Sequence, residues 1–189
     1  MGNLTVEQVE ADVDYLMDSL GSNKRLIPSP SVLLRTTSSI PLLSVVLSFI
    51  STVVFYFSAD WTEKTAAGFL HFLATEGWVV ILATAIIGLF FMLLTYNKVL
   101  MYFTLPEDVR NKSTILQHLN KVASRTVNLF VFLMMCSAAL AAISPWFTFA
   151  IPALLLFMMF AVGIIISSEV NRLGSGIALD KISNLIKKI

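Results

Sequence analysis

Charge is the scarcest commodity in this chain. Only 13% of the 189 residues are Asp, Glu, Lys or Arg, while 57% are hydrophobic and the mean hydropathy is +0.82. An average soluble domain carries about 25% charged residues and about 45–50% apolar ones. A water-soluble globule of this size has no single core large enough to hide that apolar surface. Disorder is excluded as well, because disordered chains are poor in apolar residues and rich in charge. Cysteine is almost absent: Cys136 stands alone, so no intramolecular disulfide can form. There is no excess of one sign either, since 13 bases meet 12 acids, which gives no reason to expect direct nucleic-acid binding. What remains is the composition of an integral membrane protein.

A helix needs roughly 20 apolar residues to cross the hydrocarbon core. Four stretches satisfy this, at about 36–59, 77–97, 126–143 and 147–168. No charged residue occurs from Thr126 to Ser168, a length suited to two spans joined by a tight turn at Ser144-Pro145-Trp146. Pro152 falls within the first two turns of the fourth span and is tolerated there or kinks it mildly. The predicted fold is therefore all-α and polytopic, with four transmembrane helices in a domain covering 36–168. A cytoplasmic N-terminal segment (1–35) precedes it and a basic amphipathic tail (169–189) follows. The first span starts after 35 mostly polar residues and is too long for a signal-peptide core, so no cleavable signal is expected. The start also departs from the myristoylation pattern, with Val6 where Ser or Thr is needed.

Twelve of the thirteen bases fall in the segment before the first span, the 98–125 loop and the tail, and only Lys64 lies in the 60–76 loop. The positive-inside rule then places both termini and the 98–125 loop in the cytoplasm, and the 60–76 loop outside.

The parts beyond the spans are amphipathic. Thr5 and Gln8 form a capping box ahead of a helix whose apolar face is Val6, Val9, Val13, Leu16 and Leu20, with Gly21 as its C′ residue. Residues 1–20 hold five acids and no base, so the anionic inner leaflet should repel this helix. The expected resting place is its own basic 98–125 loop, with a separate protein partner as the alternative. In that loop Pro106, Glu107 and Asp108 announce a helix start, and Thr114 with Gln117 a second capping box. The stripe Ile115, Leu116, Leu119, Val122 and Ala123 should run into the third span. In the tail, Gly174 and Gly176 should end the fourth helix. Lys181, Lys187 and Lys188 would then anchor a separate basic segment on the inner leaflet.

No catalytic, cofactor-binding or metal-binding set is recognisable. The predicted spans contain no Asp, Glu, Lys, Arg or His, which argues against ion-coupled transport, proton relays, voltage sensing and an intramembrane aspartyl dyad. Ser175 has no base in reach, His71 and His118 fall on opposite sides of the membrane, and no phosphate- or dinucleotide-binding loop is present. Ser44, Ser48, Ser51, Thr52, Thr84, Thr95 and Asn128 are the main intramembrane polar residues, expected to bond to their own helix or a neighbour. Ser137 with Ala141, Ala138 with Ala142, and Thr84 with Gly88 are small-xxx-small pairs that permit close helix contact, within the bundle or between copies as a homo-oligomer.

The acidic start, four short spans, small external mass and basic tail (Asp180-Lys181-Ile182-Ser183-Asn184-Leu185-Ile186-Lys187-Lys188-Ile189) together resemble the TraS entry-exclusion proteins of F-like conjugative plasmids. The likeness is one of size and layout over the whole chain. It implies an inner-membrane protein that blocks redundant DNA transfer by recognising the TraG protein of the donor's mating apparatus. Two other classes fit the layout: a bacteriocin immunity protein, with contacts inside the spans, and a small oligomeric pore of the holin kind. For a partner arriving from outside, the exposed candidates are Asp60, Trp61, Glu63, Lys64, His71, Phe72 and Glu76, or else the 144–148 turn. Inside, the candidates are the acidic helix and the basic 98–125 loop.

Overall fold

The computed structural model describes residues 5–21, 27–60 and 64–186. It is helical throughout, with no strand among the described residues. The elements are α1 (Val6–Gly21), α2 (Pro30–Ser58), α3 (Ala66–Phe72), one π-helical turn (Leu73–Gly77), α4 (Trp78–Thr104), α5 (Glu107–Lys112), α6 (Thr114–Leu140) and α7 (Trp146–Ile186). Four stretches are long and apolar enough to cross a membrane: Pro30–Ser58, Ala66–Thr104, Thr114–Leu140 and Trp146–Gly174. The chain is a polytopic membrane protein.

Its residues fall into two compact units. One comprises Ser29–Val99 and Thr126–Phe160, the other Met1–Pro28, Leu100–Arg125 and Ala161–Ile189.

The first unit is an apolar bundle whose polarity is inverted relative to a soluble protein. Its interior holds Leu33, Tyr56, Phe91, Met134, Ile151, Leu155 and Met158, but also Thr37, Ser44, Ser48, Ser51, Thr52, Thr84, Ser137 and Thr148. Its outside carries Leu42, Phe49, Leu89, Phe90, Leu93, Phe132 and Phe157, with Leu93 60% and Phe157 62% exposed. That surface is stable only against lipid, where large apolar side chains are as comfortable outside as inside and small residues are left to bring backbones together.

The small residues do this in pairs. Thr84 and Gly88 are both buried, so α4 presents a flat strip to α2. A Cβ on Gly88 would lie 3.0 Å from the Cβ of Pro41 and 3.5 Å from its Cα. Pro41 is inside α2, where its ring removes one backbone hydrogen bond, and its packing partner is a bare backbone. Ser137, Ala138 and Ala141 are likewise buried, and Ser137 Oγ donates to the Phe147 carbonyl across the α6–α7 turn at 2.8 Å. Ala142, by contrast, is exposed. The small-residue pairs are thus spent largely inside this bundle.

Several predicted boundaries are corrected. α2 starts at Pro30 rather than Thr36, because Pro fits the first turn of a helix and Arg35 stays exposed on its surface. Span two starts well before residue 77, inside the segment expected to be an external loop. α3, the π turn and α4 form one helical stretch from Ala66 to Thr104. Gly174 and Gly176 do not end the fourth helix: α7 is unbroken over 41 residues, about 60 Å at 1.5 Å per residue. Gly21 is the last residue of α1 instead of a left-handed cap, and no described glycine has positive φ. The predicted inner-leaflet anchor is therefore the end of α7 and not an independent segment. Lys181 lies on that helix, and Lys187 and Lys188 lie outside the described residues.

Two glycines of opposite value follow. Gly88→Val drives a branched side chain into the Pro41 ring and should destabilise the protein by about 1–3 kcal/mol, as over-packing does. Gly174→Ala meets nothing within 4 Å and should stabilise the helix by up to about 1 kcal/mol. Thermal unfolding of the detergent-solubilised chain, followed by circular dichroism, checks both. A lowered midpoint for Gly174→Ala would contradict a continuous α7.

Candidate recognition cleft

At one end of the bundle unit, α2 and α3 meet through rings. Tyr56 is buried, with its ring centroid 5.4 Å from those of both Phe69 and Phe72. Phe49 and Phe57 approach Phe69 at 6.2 and 6.1 Å, and Phe55 approaches Phe72 at 6.1 Å. Such pairs add about 0.5–1.5 kcal/mol each beyond area burial. α3 is short, and its first turn is capped by Thr65, whose Oγ1 accepts from the Gly68 N–H at 3.1 Å.

The π turn that follows widens the helix by one residue. Turns of this kind are frequent at functional sites. Gly77 closes it, buried so tightly that a Cβ would lie 3.1 Å from Thr52 Cγ2 and 3.2 Å from Phe72 Cε1. The turn displays Glu76 at the surface while α2 runs beneath.

This arrangement leaves a cleft of about 160 Å³ lined by Thr52, Phe55, Phe72, Glu76, Val80, Pro145, Thr148 and Phe149. Thr52, Val80 and Thr148 are buried and form its floor, and Glu76, Pro145 and Phe149 are exposed at its rim. Both segments singled out as facing an external partner, 60–76 and 144–148, contribute to it. A drug-sized ligand needs about 300 Å³ or more. This cleft suits one side chain.

Its polar groups are one-sided. Thr52 Oγ1 donates to the Ser48 carbonyl at 2.9 Å, and Thr148 Oγ1 to the Pro145 carbonyl at 2.6 Å. Their hydrogens are committed and their lone pairs are free to accept. Among the described residues, Glu76 takes part in no ion pair.

The predicted outer residues separate. Glu76 and Phe72 line the cleft, the latter half-buried and held by Tyr56 and Phe55. Asp60, Lys64 and His71 are exposed and do not line it. Trp61 and Glu63 lie outside the described residues. Sequence reasoning missed Phe55, Val80 and Phe149; Thr148 falls in the 144–148 turn it singled out, and to Thr52 it gave only a hydrogen bond to its own helix or a neighbour. Phe55, Val80 and Phe149 sit inside apolar runs with nothing to distinguish them, and only the meeting of α2, α4 and the start of α7 collects them.

The second unit contains the two inner candidates, and they are in contact. The capping box of α1 forms as expected, with Thr5 N–H to Gln8 Oε1 at 3.2 Å and Gln8 N–H to Thr5 Oγ1 at 3.3 Å. Val9 is buried. Asp12 Oδ2 accepts from Ser113 Oγ and from the Ile115 N–H, each at 2.8 Å, and Ser113 Oγ accepts from the Leu116 N–H at 3.2 Å. The predicted Thr114–Gln117 box is therefore corrected. Ser113 and Asp12 cap α6, and the Gln117 amide turns back to the Asn111 carbonyl. A carboxylate there satisfies orphan N–H groups and meets the positive end of the helix dipole. α5 carries Arg110 over the rings of Phe103 and Tyr102, at 4.7 and 5.2 Å from their centroids. His118 is half-buried with Nε2 at 3.4 Å from Glu169 Oε2, and Arg172 Nη2 lies 2.6 Å from that same oxygen. The acidic helix thus rests on its own loop.

Asp12→Ala should remove the α6 cap and cost about 0.5–2 kcal/mol. Its signature is faster hydrogen exchange at the amides of Ile115 and Leu116, with exchange in the bundle unit unchanged.

Comparison with protein-family models, with curated proteins and with solved structures returns no match to this chain.

Proposed function

We propose that this chain is a membrane-embedded recognition protein of the entry-exclusion type, acting by binding and not by turnover. It would lie in the bacterial inner membrane with both termini in the cytoplasm and the 60–76 and 144–148 segments outside. The TraG-type protein of a donor's mating apparatus would be its partner. The cleft supports this reading best. Both outward segments build it, its floor is fixed by close packing, and its rim carries a single carboxylate. A recognition surface of that kind discriminates through mispairing, where each unmet buried donor or acceptor costs about 1–3 kcal/mol. The layout that resembles TraS supports it as well, as does the placing of twelve of thirteen bases away from the outward segments.

The test is a mating assay. Plasmid-free recipient bacteria expressing the chain are mated with F-like donors, with an unrelated conjugative plasmid as control. Transfer from a related F-like donor should fall by at least about tenfold while control transfer is unchanged. With the protein shown to be in the membrane, undiminished transfer from a panel of F-like donors would defeat the reading. A vesicle leak assay and toxin-protection tests would then decide between a pore and an immunity protein.

A further inference from the structure

The cleft at the end of the bundle unit has a chemical signature more specific than shape. It holds one unpaired carboxylate, Glu76, and two hydroxyl oxygens, Thr52 and Thr148, whose hydrogens are already donated to carbonyls. Three phenyl rings, Phe55, Phe72 and Phe149, together with Val80 and Pro145, complete the lining. Every polar group there can accept and none is free to donate. Aromatic rings attract cations electrostatically, and a carboxylate at an apolar wall does so more strongly than one in open water. An occupant must therefore bring hydrogen-bond donors, positive charge and an apolar stem, within about 160 Å³.

Resting on the function proposed above, we infer that this cleft receives a lysine or arginine side chain from the partner protein, with Glu76 pairing its head group. The alkyl stem lies along Val80, Phe55 and Phe149, and Thr52 and Thr148 accept from the cation at the floor. A phospholipid ammonium group is the other cation available at this depth. It arrives with a phosphate a few bonds away, and the lining offers that phosphate neither a cation nor an uncommitted N–H or O–H. The charge pattern favours a protein side chain.

The experiment uses the full chain in phosphatidylglycerol nanodiscs. The probes are n-butylammonium and n-butylguanidinium, with neutral n-butanol as control, read by saturation-transfer NMR. The cations should bind at least about tenfold more tightly than butanol, as expected for a charged hydrogen bond. Glu76→Gln should abolish that preference, and Glu76→Lys should exclude the cations altogether. Glu76 is exposed, so both variants should fold, which circular dichroism checks. Equal binding of butanol and the cations, or an unchanged preference in Glu76→Gln, would overturn the site. Loss of cation binding when phosphatidylethanolamine is added would identify a lipid headgroup as occupant and overturn the protein side chain. In the mating assay Glu76→Gln should weaken exclusion by about tenfold. Full exclusion by Glu76→Gln, despite lost cation binding, would also overturn the proposed occupant. Absence of exclusion by the wild-type chain would instead defeat the proposed function and leave the cation site to be judged on the probes.

Discussion

The bundle depends on hydroxyls that bond back to their own helices. In hydrocarbon no water is available to satisfy a polar side chain, so a serine or threonine sits at a helix interface at least cost when its hydrogen finds a carbonyl. Thr37 donates to the Leu33 carbonyl at 2.8 Å, Ser44 to Ile40 at 3.0 Å, Thr52 to Ser48 at 2.9 Å and Thr84 to Val80 at 2.8 Å. Each is then a small, nearly apolar object, and helices can close on it. Lateral bonds are secondary: Thr84 Oγ1 lies 3.2 Å from Ser48 Oγ, and Ser44 Oγ 3.6 Å from the Met134 sulfur. Measured interhelical hydrogen bonds in membranes average only about 0.6 kcal/mol. Dispersion across close backbones carries the larger share. Ser51 is the exception, for its Oγ is buried with no partner among the described residues. The small volume of serine at that interface offsets an unmet hydroxyl.

Helix continuity follows from the same solvent argument. Every interruption in hydrocarbon strands backbone groups, so sequence features that end helices in water are overridden. Pro41 and Pro152 both lie inside helices, and the π turn at Leu73–Gly77 inserts a residue without breaking the path from Ala66 to Thr104. Gly174 costs its helix about 1 kcal/mol relative to alanine, too little to halt it once the preceding turns are formed.

What was legible in the sequence was whatever depends on solvent preference summed over many residues. The four spans, a turn just ahead of Trp146 (residues 141–145, starting three residues earlier than expected) and the α1 capping box are of this kind, the last because Thr5 and Gln8 report directly on local geometry. What was not legible depends on single contacts between distant segments. The local pattern places the α6 cap at Thr114, whereas the structure uses Ser113 and Asp12, about a hundred residues apart. The charge balance led to a correct location for α1 by a different cause. The contact is one carboxylate on a helix terminus, while Glu7, Asp14 and Asp18 remain exposed. The 60–76 loop was read as one exposed patch. Its charged residues part company because Tyr56 draws Phe69 and Phe72 inward, fixing which of them can share a surface with α7.

The position of the cleft also follows from the bundle's chemistry. In the middle of the spans the interior is filled, with Met134, Ile151, Leu155 and Met158 wholly buried. A carboxylate there would cost several kcal/mol. Near the helix ends the requirement relaxes: water reaches the rim, while the walls remain apolar. Glu76 lies exposed on the π turn, and Gly77 beside it lets α2 pass close beneath. A charge placed there keeps part of its hydration and is still less screened than one in open water. The rings of Tyr56 and Phe55 hold Phe72 in the cleft wall close to Glu76, so stability at this end and the recognition proposed for it draw on the same few contacts. A substitution that loosens Tyr56 against Phe72 would therefore blur the site without touching its one charged group.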